Sequence, residues 1–196
     1  MANNFKNAFA SIVTAGENYQ STGSATDNHT GPQAVYTANN GSSGVNSILV
    51  ELDAANTGTA AVSLTTFIQD TSATLGTITS ITSSSSDVAT VGLQTGQYVH
   101  VTGSTAAYVN GIYKITRTSA TQFTYQQNSA AGDGAAAGTK VIYKAYHVVK
   151  DVPIPANSTL KVVSGQKIIL NSNDKLYAYA SGATVDVIAG ILQEVS

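Results

Sequence analysis

The sequence predicts an all-β protein, in which a small β-domain is inserted into a discontinuous antiparallel β-sandwich of jelly-roll-like architecture. Three observations lead to this fold class. Apolar and polar residues alternate with a period of two along many short segments, which is typical of half-buried strands. Turn-forming residues separate these segments at intervals of about 8–12 residues. No long segment carries the spacing of an amphipathic helix.

The composition allows a substantial core and excludes several classes of protein. The chain has 196 residues, of which 42% are hydrophobic and only 10% are charged, and it has no cysteine. These values argue against a coiled coil, a disulfide scaffold and a disordered polyelectrolyte. A net charge of −2 gives no positive electrostatic field that would attract the phosphate groups of a nucleic acid. We therefore expect no nucleic-acid partner. No apolar run reaches the roughly 20 residues of a membrane span, and we expect neither a membrane partner nor an export signal.

Alternation identifies the strands of the sandwich in the first part of the chain. We expect a strand over Ala8–Ala15, because its β-branched residues disfavour a helix. In Val45–Asp53, three apolar residues share one face (Ile48, Val50 and Leu52), and Leu49 lies on the other. In Ala60–Asp70, a second face is formed by Val62, Leu64 and Ile68.

The last part of the chain predicts two further strands of the sandwich. In Lys175–Ala180, alanines and Leu176 oppose two tyrosines. The segment Val185–Glu194 is apolar on both faces, which predicts a strand buried on both sides.

The middle of the chain predicts an inserted domain. Residues 74–141 carry their own set of strands, so the host sandwich is expected over residues 1–73 plus 142–196. An Ala/Gly-rich tether, Ala130–Gly138, follows the inserted strands, and the polar segment Gly16–Gly31 of the host predicts an exposed loop. The inserted strands are expected at Thr77–Thr82, Val88–Val91, Tyr98–Thr102, Gly111–Arg117 and Gln122–Gln127.

The residue pattern does not favour catalysis or a bound cofactor. His29, His100 and His147 are far apart in the sequence and lack neighbouring ligands at metal-binding spacing. The chain has no cysteine nucleophile and no Gly-x-Ser-x-Gly motif. The Gly-rich segment Gly132–Gly138 precedes a predicted strand and not a helix, so it does not match a dinucleotide-binding loop. We therefore expect no catalytic residue, no metal and no cofactor.

One pair of carboxylates leaves an enzymatic alternative. Glu51 and Asp53 lie two residues apart on a predicted strand, which places them about 7 Å apart. That separation falls within the range of a glycoside hydrolase pair. A solvated strand face explains the same pattern and is the preferred interpretation.

Aromatic residues are concentrated in the predicted insert. Tyr113, Phe123 and Tyr125 are expected to fill its core, because a domain of this size without tryptophan needs aromatic side chains there. Tyr108 lies in a predicted loop and is the candidate for an exposed contact. An exposed tyrosine can stack on a sugar ring, so a carbohydrate-binding adhesion module is one alternative function.

Both parts of the chain contain segments that resemble proteins of a known group. In the host, these segments are Asn4–Ala8, Val35–Ala38, Leu52–Thr57, Val149–Ser158, Gly165–Leu170, Asp174–Leu176 and Leu192–Ser196. Together they resemble small virion structural proteins of tailed bacteriophages. The insert resembles small β-modules of phage tail and capsid proteins in Gly92–Val99, Val101–Gly103, Tyr108–Ile115 and Thr121–Tyr125.

The resemblance implies a non-enzymatic structural protein located in the virion after assembly in the host cytoplasm. The leading interpretation is a capsid decoration or cement protein that binds the major capsid protein or other virion proteins and projects the insert outward. A neck, collar or tail component is the alternative within the same class. We expect a homo-oligomer, with a trimer favoured. The N-terminal segment Ala2–Phe5 is a candidate arm, with Asn4, Phe5 and Phe9 as contacts to the particle or to another subunit.

Overall fold

The computed structural model describes residues 4–12, 32–38, 46–78, 85–87, 93–103, 110–119, 122–125 and 140–195. These residues form twelve β-strands and no helix, so the predicted all-β class is confirmed. No helix within these ranges is long and apolar enough to cross a membrane. The strands are β1 (Asn4–Ile12), β2 (Gln33–Thr37), β3 (Asn46–Asn56), β4 (Val62–Ile78), β5 (Ser85–Asp87), β6 (Tyr98–Thr102), β7 (Gly111–Arg117), β8 (Gln122–Tyr125), β9 (Lys140–Ile154), β10 (Ser158–Leu170), β11 (Lys175–Ala180) and β12 (Val185–Val195).

The chain divides into two compact units. The described residues of the first unit are 4–12, 33–38, 46–72 and 146–195, and the remainder belong to the second. Strands β4 and β9 contribute residues to both units. Among the described residues, the division falls after residue 32, after residue 72 and after residue 145, whereas the sequence places boundaries after 73 and after 141 and assigns residue 32 to the host. The predicted loop Gly16–Gly31 and the predicted tether Ala130–Gly138 lie outside the described residues.

The first unit is a two-sheet sandwich with jelly-roll strand order. One sheet has the order β1-β12-β3-β10, and the strands of the other follow the order β2-β11-β4-β9. When the eight strands of this unit are numbered in chain order, the first sheet has the order first-eighth-third-sixth, and the second has the order second-seventh-fourth-fifth. These are the strand orders of a jelly roll. The predicted jelly-roll-like sandwich is therefore confirmed, and the second unit is inserted between the fourth and fifth of these strands.

The core of the first unit lies between its two sheets. It is formed by aliphatic residues and one tyrosine, mostly at alternate strand positions, because successive side chains of a strand point to opposite faces. The buried residues are Ala10, Ile12, Val35, Tyr36, Ala38, Leu49, Leu52, Ala54, Val62, Leu64, Ile154, Val163, Leu170, Leu176, Ala178, Ala180, Val185, Val187, Ala189 and Ile191.

A bulge in β3 corrects the predicted face of that strand. In the pairing with β12, Gly190 lies opposite Glu51 and the next residue, Ile191, lies opposite Leu49, so Val50 is an extra residue. Because an extra residue reverses the alternation, Leu49 and Leu52 are both fully buried. The predicted shared face of Ile48, Val50 and Leu52 is therefore wrong.

The prediction that β12 is buried on both sides is also wrong. Val185, Val187, Ala189 and Ile191 are buried as their alternation indicates, but Ile188 on the opposite face is 43% exposed. The other side of this strand faces solvent within the described part of the chain.

The second unit has its own core of aromatic and aliphatic residues. Its strands follow the order β9-β6-β7-β8-β5. Tyr113, Phe123 and Tyr125 are buried, as predicted, and the Tyr113 and Tyr125 ring centroids are 4.5 Å apart. Burial raises the pKa of the Tyr113 hydroxyl. The predicted bounds of β6 and β7 match the structure, whereas Val88–Val91 lies outside the described residues.

Asn56 joins three loops at one end of the sandwich. Its Nδ2 group donates to the carbonyl oxygens of Ala60, Ile154 and Pro155 at 2.8, 3.1 and 3.1 Å. Its Oδ1 atom accepts from the Gly58 amide at 3.0 Å and from the Thr184 hydroxyl at 2.9 Å. These bonds link the end of β3 to the β9–β10 hairpin and to the start of β12.

Asp174 has the corresponding role between β10 and β11. This buried carboxylate accepts hydrogen bonds from the backbone amides of Thr71 and Asn171, both at 2.9 Å. Its own backbone carbonyl accepts from the Ala38 amide at 2.8 Å. Through its side chain and its backbone carbonyl, this one residue thus ties three separate segments of the first unit together.

Candidate assembly surface

The three predicted contact residues of the N-terminal region lie on strand β1. Asn4 and Phe5, placed by the sequence in a free arm, are paired with Gln193 and Leu192 of β12. Phe5 and Phe9 are 75% and 68% exposed. Since Ala10 and Ile12 point into the core, the odd-numbered residues of this strand lie on the outer face of its sheet. Tyr108, the other predicted contact, lies outside the described residues.

A row of apolar side chains continues from β1 across the whole outer face of the four-stranded sheet. Phe5 pairs with Leu192, Leu192 with Ile48, and Ile48 with Ile169. Each of the three aliphatic residues adjoins a buried neighbour of the core, so each points away from it. Ile169, at the far edge of the sheet, is 63% exposed.

A shorter second row lies on the same face, separated from the first by the row of Asn7, Gly190 and Glu51. Phe9 of β1 pairs with the exposed Ile188 of β12. We use the term outer apolar band for these two rows together, namely Phe5, Phe9, Ile48, Ile169, Ile188 and Leu192. The sequence indicates part of this surface through the contact candidates Phe5 and Phe9, and another part through the two-faced apolar pattern of Val185–Glu194, which predicts burial. It does not indicate that Ile48 and Ile169 belong to the surface, because their position there depends on the register between strands.

The second row ends in an ion cluster and not in a catalytic pair. The Lys161 ammonium group lies 3.1 Å from Glu51 Oε1 and 3.6 Å from Asp53 Oδ2. The hydrogen bond to Glu51 and the charge of Asp53 raise the pKa of Lys161. Both carboxylates are thus engaged by one lysine on an outer sheet face, which matches the predicted solvated face. A glycosidase needs one of two carboxyl groups to be a proton donor, whereas here both carboxylates contact the same lysine ammonium group.

A second cluster of charged and polar side chains lies around a strained backbone position in β9. Asp151 has a φ angle of 52°, a left-handed conformation that aspartate tolerates better than most residues. Its backbone amide donates to Thr65 Oγ1 at 2.9 Å, and that hydroxyl donates to Asp151 Oδ1 at 3.3 Å. The hydrogen bond from Lys150 holds the pKa of the Asp151 carboxyl below its usual value. These hydrogen bonds stabilise the left-handed backbone conformation of Asp151.

Metal-binding geometry is not found in the described part of the chain. Within the described ranges, no group of three or more His, Asp or Glu residues is placed to hold a metal ion. His100 is buried in β6, and the His147 ring lies 6.1 Å from that of Phe67. His29 lies outside the described residues.

The fold and this surface together define a jelly-roll β-sandwich protein with an inserted β-unit and an apolar outer sheet face. Comparison of the chain with protein-family models, with curated proteins and with solved structures gave no match.

Proposed function

We propose that this chain is a non-enzymatic structural protein of a tailed-bacteriophage particle, and specifically a capsid decoration protein. The observation that carries the proposal is the outer apolar band, which crosses all four strands of one sheet. Jelly rolls are common in viral capsid proteins, but a fold alone does not specify a function. The proposal therefore depends on what this surface is suited to bind.

The size of the band supports a protein-binding role. Its four most exposed side chains, which are 43–75% accessible, offer on the order of 400 Å² of apolar surface, since a large apolar side chain has about 150–250 Å². Patches of about 300–600 Å² on monomeric proteins are often functional. A patch of this size gives weak binding at a single site, because association costs about 4–15 kcal/mol of lost freedom. Repetition of the same contact over a symmetric shell compensates for that weakness.

The charge distribution supports the same kind of contact. Among the described residues, a lysine–carboxylate cluster lies between and beside the two rows, in which Lys161 contacts Glu51 and Asp53, and the chain has a net charge of only −2. We therefore expect binding that changes little with ionic strength, because screening acts mainly on exposed charges.

A binding assay with undecorated capsids of the phage that encodes this chain tests the proposal. We expect the protein to co-sediment with these capsids, with similar affinity in low and high salt. Ile169→Asp combined with Ile188→Asp is expected to weaken binding at least tenfold, because it places carboxylates within the apolar contact. Thr159→Asp is the matched control, since Thr159 is an exposed residue of β10 outside the band.

Two results would contradict the proposal. One is no retained protein at saturating concentration, and the other is equal binding by the double variant. The number of copies per particle, counted by electron microscopy, separates a decoration protein from a neck, collar or tail component. A decoration protein is present in hundreds of copies, whereas a neck or tail ring contains roughly a dozen or fewer.

A further inference from the structure

Strand β1 has an unpaired edge. It is the end strand of the four-stranded sheet, and none of the other described strands pairs with its outer side. Its pairing with β12 continues from Asn4 to Ile12 over nine residues without a register shift. A long, regular edge of this kind offers a row of backbone donors and acceptors to another strand.

The two edges of this sheet differ in how they are protected. On the opposite edge, β10 is interrupted by two register shifts, and Gly165, which lies within the second of them, has a φ angle of 72°. Bulges of this kind prevent another strand from pairing along the edge. Strand β1 has no proline and no bulge, and Lys6 is its only charged residue. Within the described residues, one edge of this sheet is thus protected by bulges, and the other has no such protection.

The outer face of β1 has a symmetric sequence. Phe5 and Phe9 lie at equal distances on either side of Asn7, and all three point to the same face. An antiparallel pair of identical strands centred on Asn7 would place Phe5 of each copy opposite Phe9 of the other. Lys6 would lie opposite Ala8, so the two lysines would not be directly opposed.

We propose that a second copy of this chain pairs antiparallel with β1 around a two-fold axis at Asn7. The pairing joins the two four-stranded sheets into one sheet of eight strands. Two cross-strand Phe5–Phe9 pairs form on its outer face, which is a favoured contact between aromatic residues. The same patch meets itself, as a two-fold interface requires.

This inference extends the proposed function, because the dimer joins the outer apolar bands of two copies into one continuous surface. Its test uses the protein alone, so failure to dimerise is distinguishable from failure to bind capsids. The inference also differs from the trimer favoured by the sequence, since homotypic pairing of one edge strand closes after two copies.

The first test is the mass of the protein in solution, measured by sedimentation velocity over a range of concentrations. We expect a reversible increase from the chain mass of 20.1 kDa to twice that value. A monomer at every concentration up to about 100 μM, in the range of weak protein association, would overturn the proposal. A mass of three chains would overturn it as well.

Introduction of a charge at the proposed two-fold axis tests the register. Asn7→Lys places two like charges directly opposite each other and is expected to weaken the dimer at least tenfold. Asn7 is exposed, so the variant should fold normally, which circular dichroism checks. Thr159→Lys adds the same charge to β10 and should leave the dimer unchanged. Equal dimerisation by the Asn7→Lys variant would exclude this interface.

Cysteine cross-linking gives an independent readout, because the natural chain has no cysteine. Residues directly opposite in antiparallel strands have Cα atoms about 4.5–5.5 Å apart, which suits a disulfide. Asn7→Cys is therefore expected to form a covalent dimer under mild oxidation. Ser11→Cys is the control, since the two copies of residue 11 would lie about 27 Å apart along the strands. Cross-linking of Ser11→Cys in preference to Asn7→Cys would refute the register.

Discussion

Replacement of Asn56 by alanine should destabilise the first unit more than any exposed substitution. Asn56 is 2% exposed, and its amide contacts three carbonyl oxygens and two donors. An amide nitrogen has only two protons, so the Asn56 side chain donates two full hydrogen bonds to the three carbonyl oxygens. Together with the two bonds that its Oδ1 atom accepts, four hydrogen bonds are lost in the alanine variant. Each contributes about 1 kcal/mol. Because water can reach some of the partners, we expect a loss of about 3 kcal/mol, compared with a typical total stability of about 5–15 kcal/mol.

Urea unfolding followed by circular dichroism and tyrosine fluorescence measures this loss, since the chain has no tryptophan. Asn171→Ala is the matched control, because Asn171 is exposed and should change stability by less than about 0.5 kcal/mol. A loss below about 1 kcal/mol for Asn56→Ala, with the fold retained, would show that the hydrogen bonds of this amide are replaced by water at little cost.

The Asn56→Asp variant adds a pH dependence with a definite sign. Burial and the three facing carbonyl oxygens should raise the pKa of the introduced carboxyl above its unfolded value of about 3.9. The folded state then binds the proton more tightly than the unfolded state does. The variant should be least stable at neutral pH and should recover as the pH falls below the raised pKa. Equal destabilisation at pH 3.5 and pH 7 would contradict this account.

Three further predictions concern other buried or strained positions. Asp174→Asn places an amide group against a backbone donor and should cost about 2 kcal/mol in urea unfolding, and an unchanged midpoint would show that these bonds contribute little. Gly58→Ala should cost about 1–3 kcal/mol, because its Cβ would lie 2.5 Å from Thr184 Oγ1, and a calorimetric melt without a shift would count against this packing. Lys150→Ala should raise the pKa of Asp151 towards its usual value, as read from an NMR titration, because Lys150 is the main cause of the lowering. Wild-type Asp151 stabilises the fold above its unfolded pKa of about 3.9, and this contribution is lost as the pH falls through the lower folded value. An unmoved titration in the variant would contradict the assignment.

Local sequence patterns predicted the strands that have regular alternation and clear turns at both ends. Lys175–Ala180 matches β11 at both bounds, because glycine- and asparagine-containing turns flank it. The predicted burial of Val185, Val187, Ala189 and Ile191 also follows from alternation alone. Such features depend on neighbours in the sequence, which is why they could be recognised without coordinates.

The features that were missed depend on pairing between distant strands. The bulge at Val50 is visible only from the register with β12, and it reverses which residues of β3 face the core. The row from Phe5 to Ile169 likewise combines four strands that are far apart in the chain. The segment Asn56-Thr57-Gly58 has the composition of a turn, but nothing in the sequence shows that the Asn56 amide is buried and holds two other loops.

The position of the insertion has a consequence for how this protein can change during evolution. The chain leaves the jelly roll on β4 and returns on β9, which are neighbours in one sheet. Adjacent strands lie about 4.8 Å apart. Any segment that connects β4 to β9 therefore has to span only a short distance between its two ends. The entropy of closing such a connection grows by only about 0.6 kcal/mol for each doubling of its length. The jelly roll can therefore accept a different inserted domain at this point, or a short hairpin, without a change in its own core.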